Sequence, residues 1–312
     1  MSIPQYLGSY PRNRQTGWSG DLQGVTNDTH GWYFTQEQTL WYFPVNHDLA
    51  TQVTSELSET GIRHTHMPDA LSAMGYNHFG DPAYYGGFLF IPTDAQGSSH
   101  PPRIVAMRAS DFQYIDSVAV DGQSESGWCA VEPRTGSLYT SDKEVSLVQP
   151  IRVFEIDFDR LRRPESPMLE ITLSRQIRPF SRVSWLGLRV PVSFRHLQGG
   201  VIGEDGRLYI SNGYYSGYPS RRGGIRVFDP ITGEQLAKSS TTRLPFKYEY
   251  HPGLAAEEPE GLTWWDLDDG RAPGVSGQLH AIMLDNDPFN EDDLYFKHYR
   301  IARIHEVVPA TR

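Results

Sequence analysis

The chain has 312 residues, a formal net charge of −10 and one cysteine, Cys129, so it cannot form an internal disulfide. An acidic chain without a long basic stretch argues against nucleic-acid binding, and no segment approaches the roughly 20 apolar residues that span a membrane. We therefore expect a soluble protein, cytoplasmic by default, with secretion after removal of a signal segment as the alternative. An aromatic content of 12%, with 29 glycines and 22 prolines, favours strands joined by tight turns.

A strand, a tight turn and a second strand recur along the chain. Residues 136–141 and 206–211 share the pattern Gly, any residue, Leu, Tyr, any residue, Ser, and the glycine supplies the positive φ that a hairpin turn needs. Four copies align on this turn without gaps, and the same position in each is small: Gly24, Gly80, Cys129 and Gly199. A fifth copy starts alike at residues 260–263 but has a longer turn. The copies begin near residues 21, 77, 126, 196 and 258.

Further strands follow each copy in chain order. Third strands are predicted at residues 40–43, 103–106, 151–154, 224–228 and 294–297, and fourth strands at residues 62–67, 114–120, 169–173 and 235–239. The fifth copy lacks a fourth strand, and residues 6–10 are predicted to complete it by closing a ring. The best helix candidate is short and covers residues 48–60.

Four-stranded units repeated around an axis are the blades of a propeller. The sequence therefore predicts an all-β fold, a five-bladed β-propeller with antiparallel blades around a central channel, formed by one domain over residues 1–312. Six blades are the alternative if residues 174–192 hide a degenerate blade. A β-sandwich or two separate β domains would also accommodate many short strands.

Several inner-strand phrases resemble those of known propellers. They are Gln-Gly-Gly-Val at residues 198–201, Gly-Arg-Leu-Tyr at 206–209, Pro-Glu-Gly-Leu at 259–262 and His-Phe-Gly-Asp at 78–81. These are similar to motifs of bacterial single-domain propellers of the lactonase/gluconolactonase, phytase-like and strictosidine-synthase-like kinds. The resemblance covers most of the chain at the level of repeats and implies the architecture, but it assigns no single family and carries over no catalytic set.

Two rings of residues are predicted to face the channel, because the first strand of each blade lines it and positions two apart share a face. The inner ring directly precedes the aligned small residue and holds Gln23, Phe79, Trp128, Gln198 and Glu260. The outer ring stands two positions earlier and holds Asp21, Asn77, Ser126, His196 and Glu258. The many polar side chains predict a ligand site at the channel mouth, and a solvated channel without a ligand is the alternative.

The chemistry of these rings suggests a metal-assisted enzyme. Oxygen ligands from several strands suit Ca²⁺, here Asp21, Asn77, Glu258 and Glu260. Catalytic roles are predicted for His196, Glu260 and His78, and substrate contacts for Gln23, Phe79, Trp128, Gln198 and Asp81. The expected reaction is hydrolysis, lactone opening, or a lyase or cyclisation step on a small polar molecule. No P-loop, dinucleotide fingerprint or serine-hydrolase elbow is found, so no nucleotide cofactor is expected.

Other clusters carry weaker expectations. A transition-metal site is conceivable at His64, His66 and Asp69 together with His78 and Asp81. The acidic stretch at residues 285–293 is interpreted as a solvated loop, since it lacks the spacing of an EF-hand. The alternative function is a non-catalytic module that recognises a glycan or a protein through face aromatics, namely Tyr214, Tyr215, Tyr218 and Trp265.

Overall fold

The computed structural model describes residues 4–14, 16–53, 60–183, 188–213, 223–238, 258–285 and 293–301. Five antiparallel sheets form the five blades of a β-propeller, as predicted, and in the first four blades the chain proceeds from the innermost strand outward. None of the helices in this described part is long and apolar enough to cross a bilayer.

The elements follow one another blade by blade. The chain begins with β1 (Pro4–Arg14), and blade 1 comprises β2 (Leu22–Asn27), β3 (Gly31–Gln36), β4 (Thr39–Pro44) and β5 (Arg63–His66). After α1 (Asp69–Ser72), blade 2 comprises β6 (His78–Phe79), β7 (Ala83–Tyr85), β8 (Phe88–Asp94), β9 (Arg103–Arg108) and β10 (Tyr114–Ala119), where β6 and β7 share the innermost place. Blade 3 comprises β11 (Cys129–Val131), β12 (Leu138–Thr140), β14 (Ile151–Ile156) and β15 (Ile171–Ile177), with β13 (Glu144–Val145) and α2 (Phe158–Leu161) in its connections.

An insertion of β16 (Phe180–Val183), β17 (Leu188–Pro191) and β18 (Phe194–Arg195) separates blades 3 and 4. Blade 4 comprises β19 (Leu197–Ile202), β20 (Leu208–Asn212), β21 (Gly224–Phe228) and β22 (Gln235–Lys238), and blade 5 contains β23 (Glu258–Trp264), β24 (Leu279–Leu284) and β25 (Leu294–Ile301). In the insertion, β16 pairs with β17 and β18 pairs back to β13, so residues 174–192 do not form a sixth blade.

The first strand of the chain closes the ring. β1 pairs antiparallel with β25, with Tyr6 opposite Tyr299, and it supplies the fourth strand of blade 5. The predicted closure by residues 6–10 is therefore correct. Closure covers the hydrogen-bonding edge that β25 would otherwise expose.

One predicted element is not formed where it is described. Residues 48–53 make a turn and not the start of a helix, because the Asp48 carboxylate accepts the N–H of Ala50 at 2.9 Å. Such local side-chain bonds compete with helix formation. The rest of the expected helix, residues 54–59, lies outside the described residues.

The core of the described chain consists of five hydrophobic clusters, each between two neighbouring blades. Strand β3 shows how one strand serves two of them. Trp32 and Phe34 pack toward blade 5, while Tyr33 packs toward blade 2. Since successive side chains of a strand point to opposite faces, a strand between two blades must be apolar on both.

Candidate functional site

Asp81 lies where the inner strands meet at the axis. Its Oδ1 accepts the backbone N–H of Val25 at 2.9 Å, and its Oδ2 accepts those of Gly200 at 2.9 Å and Leu262 at 3.1 Å. These three donors belong to blades 1, 4 and 5. Each donor directly follows the aligned small residue of its blade, just as Asp81 follows Gly80. Residues that share an aligned position in the sequence therefore lie at the same height along the axis.

The backbone of Asp81 joins the remaining blade. Its N–H donates to the carbonyl of Gly127 at 2.8 Å, and its carbonyl accepts the N–H of Cys129 at 3.1 Å. The strands approach so closely that a Cβ on Gly24 would lie 2.3 Å from the Asp81 Cα, and one on Gly261 would lie 2.5 Å from its Oδ1. The small residues of the repeat are therefore a steric requirement of the axis.

These contacts give Asp81 a role other than the predicted substrate contact. The residue is fully buried and both carboxylate oxygens are occupied. Burial raises the pKa of the Asp81 carboxyl, and its three backbone donors oppose that shift. Asp81 thus closes the channel and forms a floor. We call the end at which the inner strands begin, near Glu260, the upper mouth, and the end at which they finish, near Asn27, the lower mouth.

Local irregularities decide which residues of the inner ring face the upper mouth. The pairing of the inner strand shifts register at Gln23 in blade 1, at Gln198 in blade 4, and at Glu260 and Gly261 in blade 5. A β-bulge inserts an extra residue and redirects side chains. The three polar members of the inner ring thus all occupy bulges.

The two aromatic members of the inner ring belong to blade interfaces instead. Phe79 pairs in register with Thr93, and Trp128 directly precedes β11. Both rings are fully buried, Phe79 between blades 1 and 2 and Trp128 between blades 3 and 4. The Trp128 indole N–H donates to the Ser141 hydroxyl at 3.0 Å. These rings therefore do not form the predicted apolar wall of the channel.

Glu260 and Gln198 come together above the floor. The Gln198 amide donates to Glu260 Oε1 at 3.4 Å, although the two residues belong to different blades. Glu260 is only 4% exposed. Burial, and next the charge of Glu258, raises the pKa of the Glu260 carboxyl well above its ordinary value. A carboxyl in such surroundings holds its proton and can donate it.

Lys143 was not among the predicted site residues, yet its charge acts on several of them. Burial and then the Lys143 ammonium lower the pKa of His78 to about 4, so this imidazole is neutral at pH 7. The same ammonium opposes the raised pKa of Glu260. It also opposes the raised pKa of Asp94, which burial brings to about 6. No ion pair among the described residues involves Lys143.

A sequence signal for Lys143 and Asp94 did exist. Asp94 ends the second strand of blade 2 and Lys143 follows the second strand of blade 3, and these strand ends lie beside the starts of the inner strands. The two predicted rings contain residues of the inner strands alone. Counting both strand ends would have included the cation and the additional carboxylate.

The members of the outer ring differ in their surroundings. Asp21 and His196 are exposed, with matching left-handed φ values of 54° and 57°, and exposed Asn77 accepts the N–H of Gln96 at 2.8 Å. Ser126 is buried and its hydroxyl lies 3.0 Å from that of Thr140. Of the four predicted calcium ligands, Glu258 and Glu260 interact electrostatically.

The described residues give no support to a metal centre. Among them, no three His, Cys, Asp or Glu side chains are grouped so that they could hold a metal ion. This applies to the predicted calcium site and to the histidine cluster. His64 and His66 lie on the outermost strand of blade 1 with ring centres 6.0 Å apart, whereas His78 lies on an inner strand.

The aromatic residues of the alternative function are only partly described. Trp265 is buried, with its ring centre 4.6 Å from that of Trp32, so it does not belong to an exposed face. Tyr214, Tyr215 and Tyr218 lie outside the described residues, as do residues 286–292 of the acidic stretch. The ends of that stretch contact each other, since Asp285 Oδ1 accepts the N–H of Asp293 at 2.8 Å.

Comparisons with known proteins find only distant similarity to this chain. No family model and no curated protein matches the chain. One similar solved structure is the complex of KlAtg21 with the coiled coil of AgAtg16, at 12% identity over 89% of this chain and 71% of that chain, with a TM-score of 0.43. A second is a thermostable family-43 glycoside hydrolase, at 11% identity over 95% of this chain and 96% of that chain, with a TM-score of 0.47. A third is the GH43_1 enzyme from Xanthomonas citri complexed with xylose, at 11% identity over 89% of this chain and 87% of that chain, with a TM-score of 0.47. At these values we draw no argument on function, and the lactonase-like and phytase-like resemblance stays a prediction.

Proposed function

We propose that the upper mouth binds a small polar molecule and hydrolyses a C–O bond in it, with Glu260 as the proton donor. The observation that carries the proposal is the buried Glu260 carboxyl, which accepts a hydrogen bond from Gln198 and whose pKa is raised. A general acid must hold its proton at the working pH, and burial beside another carboxylate is a common means to that end.

The neighbouring groups suit the other steps of such a reaction. The Lys143 ammonium stabilises negative charge on the substrate or on the departing oxygen. Glu258 is less buried than Glu260 and its negative charge raises the pKa of its neighbour, which makes it the base that receives a proton from water. Neutral His78 offers a hydrogen bond to a substrate hydroxyl.

The substrate class follows from this chemistry. A leaving oxygen that needs protonation occurs in lactones, in esters and in glycosides, and all three are polar molecules that suit a mouth with amide, carboxyl and ammonium groups. The floor formed by Asp81 stops the substrate from passing through the molecule. A mouth that ends at a floor favours a small substrate or the end of a longer one.

The test compares turnover of a lactone, ester and glycoside panel by the wild-type chain and by Glu260→Gln, with Glu204→Gln on the lower face as the matched control. We expect Glu260→Gln to abolish turnover without changing the melting temperature, and the control to behave as wild type. Turnover that survives in Glu260→Gln contradicts the proposal. Binding without any turnover by the wild-type chain indicates the non-catalytic alternative.

A second arm addresses the metal. The acid–base proposal predicts full activity after EDTA treatment, because it uses a proton donated by Glu260 and a proton accepted by Glu258, and no metal ion. Inhibition by EDTA that Ca²⁺ reverses would replace it with the metal-assisted mechanism.

A further inference from the structure

A groove of about 640 Å³ lies on the lower face, between blades 1 and 2. Its residues come from the end of the inner strand β2, as Asp28 does, and from the end of the third strand β9, as Arg108 does. The upper mouth lies at the opposite ends of these strands. The groove is therefore distinct from the site that contains Glu260.

Three arginines line the groove although the whole chain has a net charge of −10. They are Arg63, Arg108 and Arg162, and they come from blades 1, 2 and 3 respectively. Charge of one sign gathered in a concave surface raises the local concentration of ligands of the opposite sign. This lining favours an anion.

Arg63 is held in place by its surroundings. Its guanidinium lies 4.4 Å from the ring centre of Tyr42 and 4.8 Å from that of Phe112. It also donates to the backbone carbonyls of Ser110 and Ala109. A stacked guanidinium loses little freedom when it binds, so this side chain is prepared for an anion.

The other two arginines stand at the rim of the groove. Arg108 forms an exposed ion pair with Asp111 at 2.9 Å, a kind of contact that contributes little and can be exchanged for a ligand. Arg162 stacks on Phe158 with its guanidinium 5.1 Å from the ring centre. A Cβ on Gly86 would lie 2.9 Å from Arg162 Nη2, so glycine makes room for this side chain.

The carboxylate in the lining, that of Asp28, is engaged by local donors. Its Oδ1 accepts the N–H groups of His30 at 2.6 Å and Gly31 at 2.8 Å, and its Oδ2 accepts the Tyr33 hydroxyl at 2.9 Å. The Asp28 charge is thus offset by dipoles directed at it, and the arginines dominate the remaining lining. The ring of Tyr33 stacks with that of Tyr84, with centres 6.1 Å apart.

Tyr84 also borders a second cavity, which extends under the floor of the channel. This cavity measures about 180 Å³ and is lined by Asn27, Val201, Trp264 and other residues at the ends of the inner strands. The indole N–H of Trp264 is buried and has no hydrogen-bond partner within the described part of the chain. The groove thus provides cationic groups, and the second cavity beside it provides space for a ring.

We propose that the lower face binds a small organic anion, a phosphate monoester or a carboxylate, with the anionic group at the three arginines and a ring beside Tyr84. Guanidinium groups bind both kinds of anion through paired N–H donors. The site does not depend on the reaction at the upper mouth, and its occupant differs from that substrate in requiring a full negative charge.

The experiment is a calorimetric titration of the full chain with phenyl phosphate and, separately, with benzoate. We expect at least one to bind, and the tighter of the two identifies the anion class. Arg162→Gln should weaken binding about tenfold through the loss of a charged hydrogen bond. Its matched control is Arg163→Gln, an exposed neighbour outside the groove, which should leave binding unchanged.

Two further variants complete the design. Arg63→Lys keeps the charge without the planar guanidinium and should weaken binding as Arg162→Gln does. Glu260→Gln should leave anion binding unaltered, so failure of the upper-mouth proposal and failure of this one are told apart. The proposal is overturned if neither probe binds, or if Arg162→Gln and Arg163→Gln bind them equally.

Discussion

The backbone N–H of Gly200 donates to the Asp81 carboxylate across 2.9 Å, although 119 residues separate the two in the chain. Val25 and Leu262 donate to the same carboxylate, so one side chain satisfies backbone groups of three other blades. Buried N–H groups at the centre of a propeller have no strand beside them on that side and need an acceptor. Asp81 supplies it and at the same time blocks the channel.

Replacing Asp81 should therefore destabilise the whole ring. In Asp81→Ala three buried N–H groups lose their acceptor, and each such loss costs about 1–3 kcal/mol. We expect the free energy of unfolding to fall by more than about 3 kcal/mol, measured by urea denaturation with tryptophan fluorescence as the readout. The exposed Asp121→Ala is the control. An Asp81→Ala variant as stable as the wild-type chain would show that water or another group satisfies these donors.

The close approach at the axis can be tested with two glycines. Gly24→Ala places a methyl group 2.3 Å from the Asp81 Cα, whereas a Cβ on Gly20 has no heavy atom within 4 Å. Backbone must move to relieve the first contact, so we expect Gly24→Ala to unfold at lower temperature and Gly20→Ala to match the wild-type chain. Calorimetry measures both. Equal melting temperatures would mean that the inner strands can separate without cost.

Asp94 predicts a dependence of stability on pH. Burial raises the pKa of its carboxyl from 3.8 to about 6, so the folded chain holds this proton more tightly than the unfolded chain. Its contribution to stability is complete below pH 4 and is lost as the pH rises through 6, a change of about 3 kcal/mol. Asp94→Asn does not titrate, and its oxygen can still accept the Ser126 N–H that Asp94 accepts at 3.0 Å.

Unfolding in urea at pH 4, 5, 6 and 7 checks this expectation. Relative to the wild-type chain, Asp94→Asn should gain stability as the pH rises. A constant difference between Asp94→Asn and the wild-type chain across this range would contradict the raised pKa.

Lys143 is expected to act on His78 through its charge. Because the ammonium helps to lower the pKa of His78 to about 4, Lys143→Met should raise that pKa and Lys143→Arg should leave it low. An NMR titration of the His78 ring reports the value directly. Burial is the larger cause, so the pKa in Lys143→Met should stay below that of an exposed histidine. If the His78 pKa were the same in Lys143→Met and Lys143→Arg, the charge at position 143 would be too far from the His78 ring to affect it.

Ring closure predicts the effect of removing β1. A chain without residues 1–14 exposes the edge of β25, which pairs with other strands or aggregates. We expect lower cooperativity of unfolding and self-association in sedimentation experiments, and partial rescue by a peptide of residues 4–14. Removal of residues 1–3 alone is the control. A monomeric, cooperatively unfolding truncated chain would contradict the role of β1.

Local patterns determined the architecture in advance. Turn glycines such as Gly136 and Gly206 adopt φ values of 74° and 75°, and the runs of apolar residues that follow them are buried on both faces. These features depend on residues near one another in the chain, so they can be recognised without coordinates. The same alignment places Gln198 and Glu260 at one level, and the two side chains are hydrogen-bonded in the structure.

The tertiary structure alone decided the content of the site. Phe79 and Trp128 share the aligned position of Glu260, yet only Glu260 lies in a bulge that turns it toward the mouth. Such shifts of register leave no periodic trace in the sequence. Asp81 and Lys143 acquire their roles from groups on other blades that are distant in the chain, as in the 56 residues between Val25 and Asp81. The repeated strand pattern can therefore be recognised from residues close together in the chain, whereas the contacts at the axis form only when all five blades are assembled.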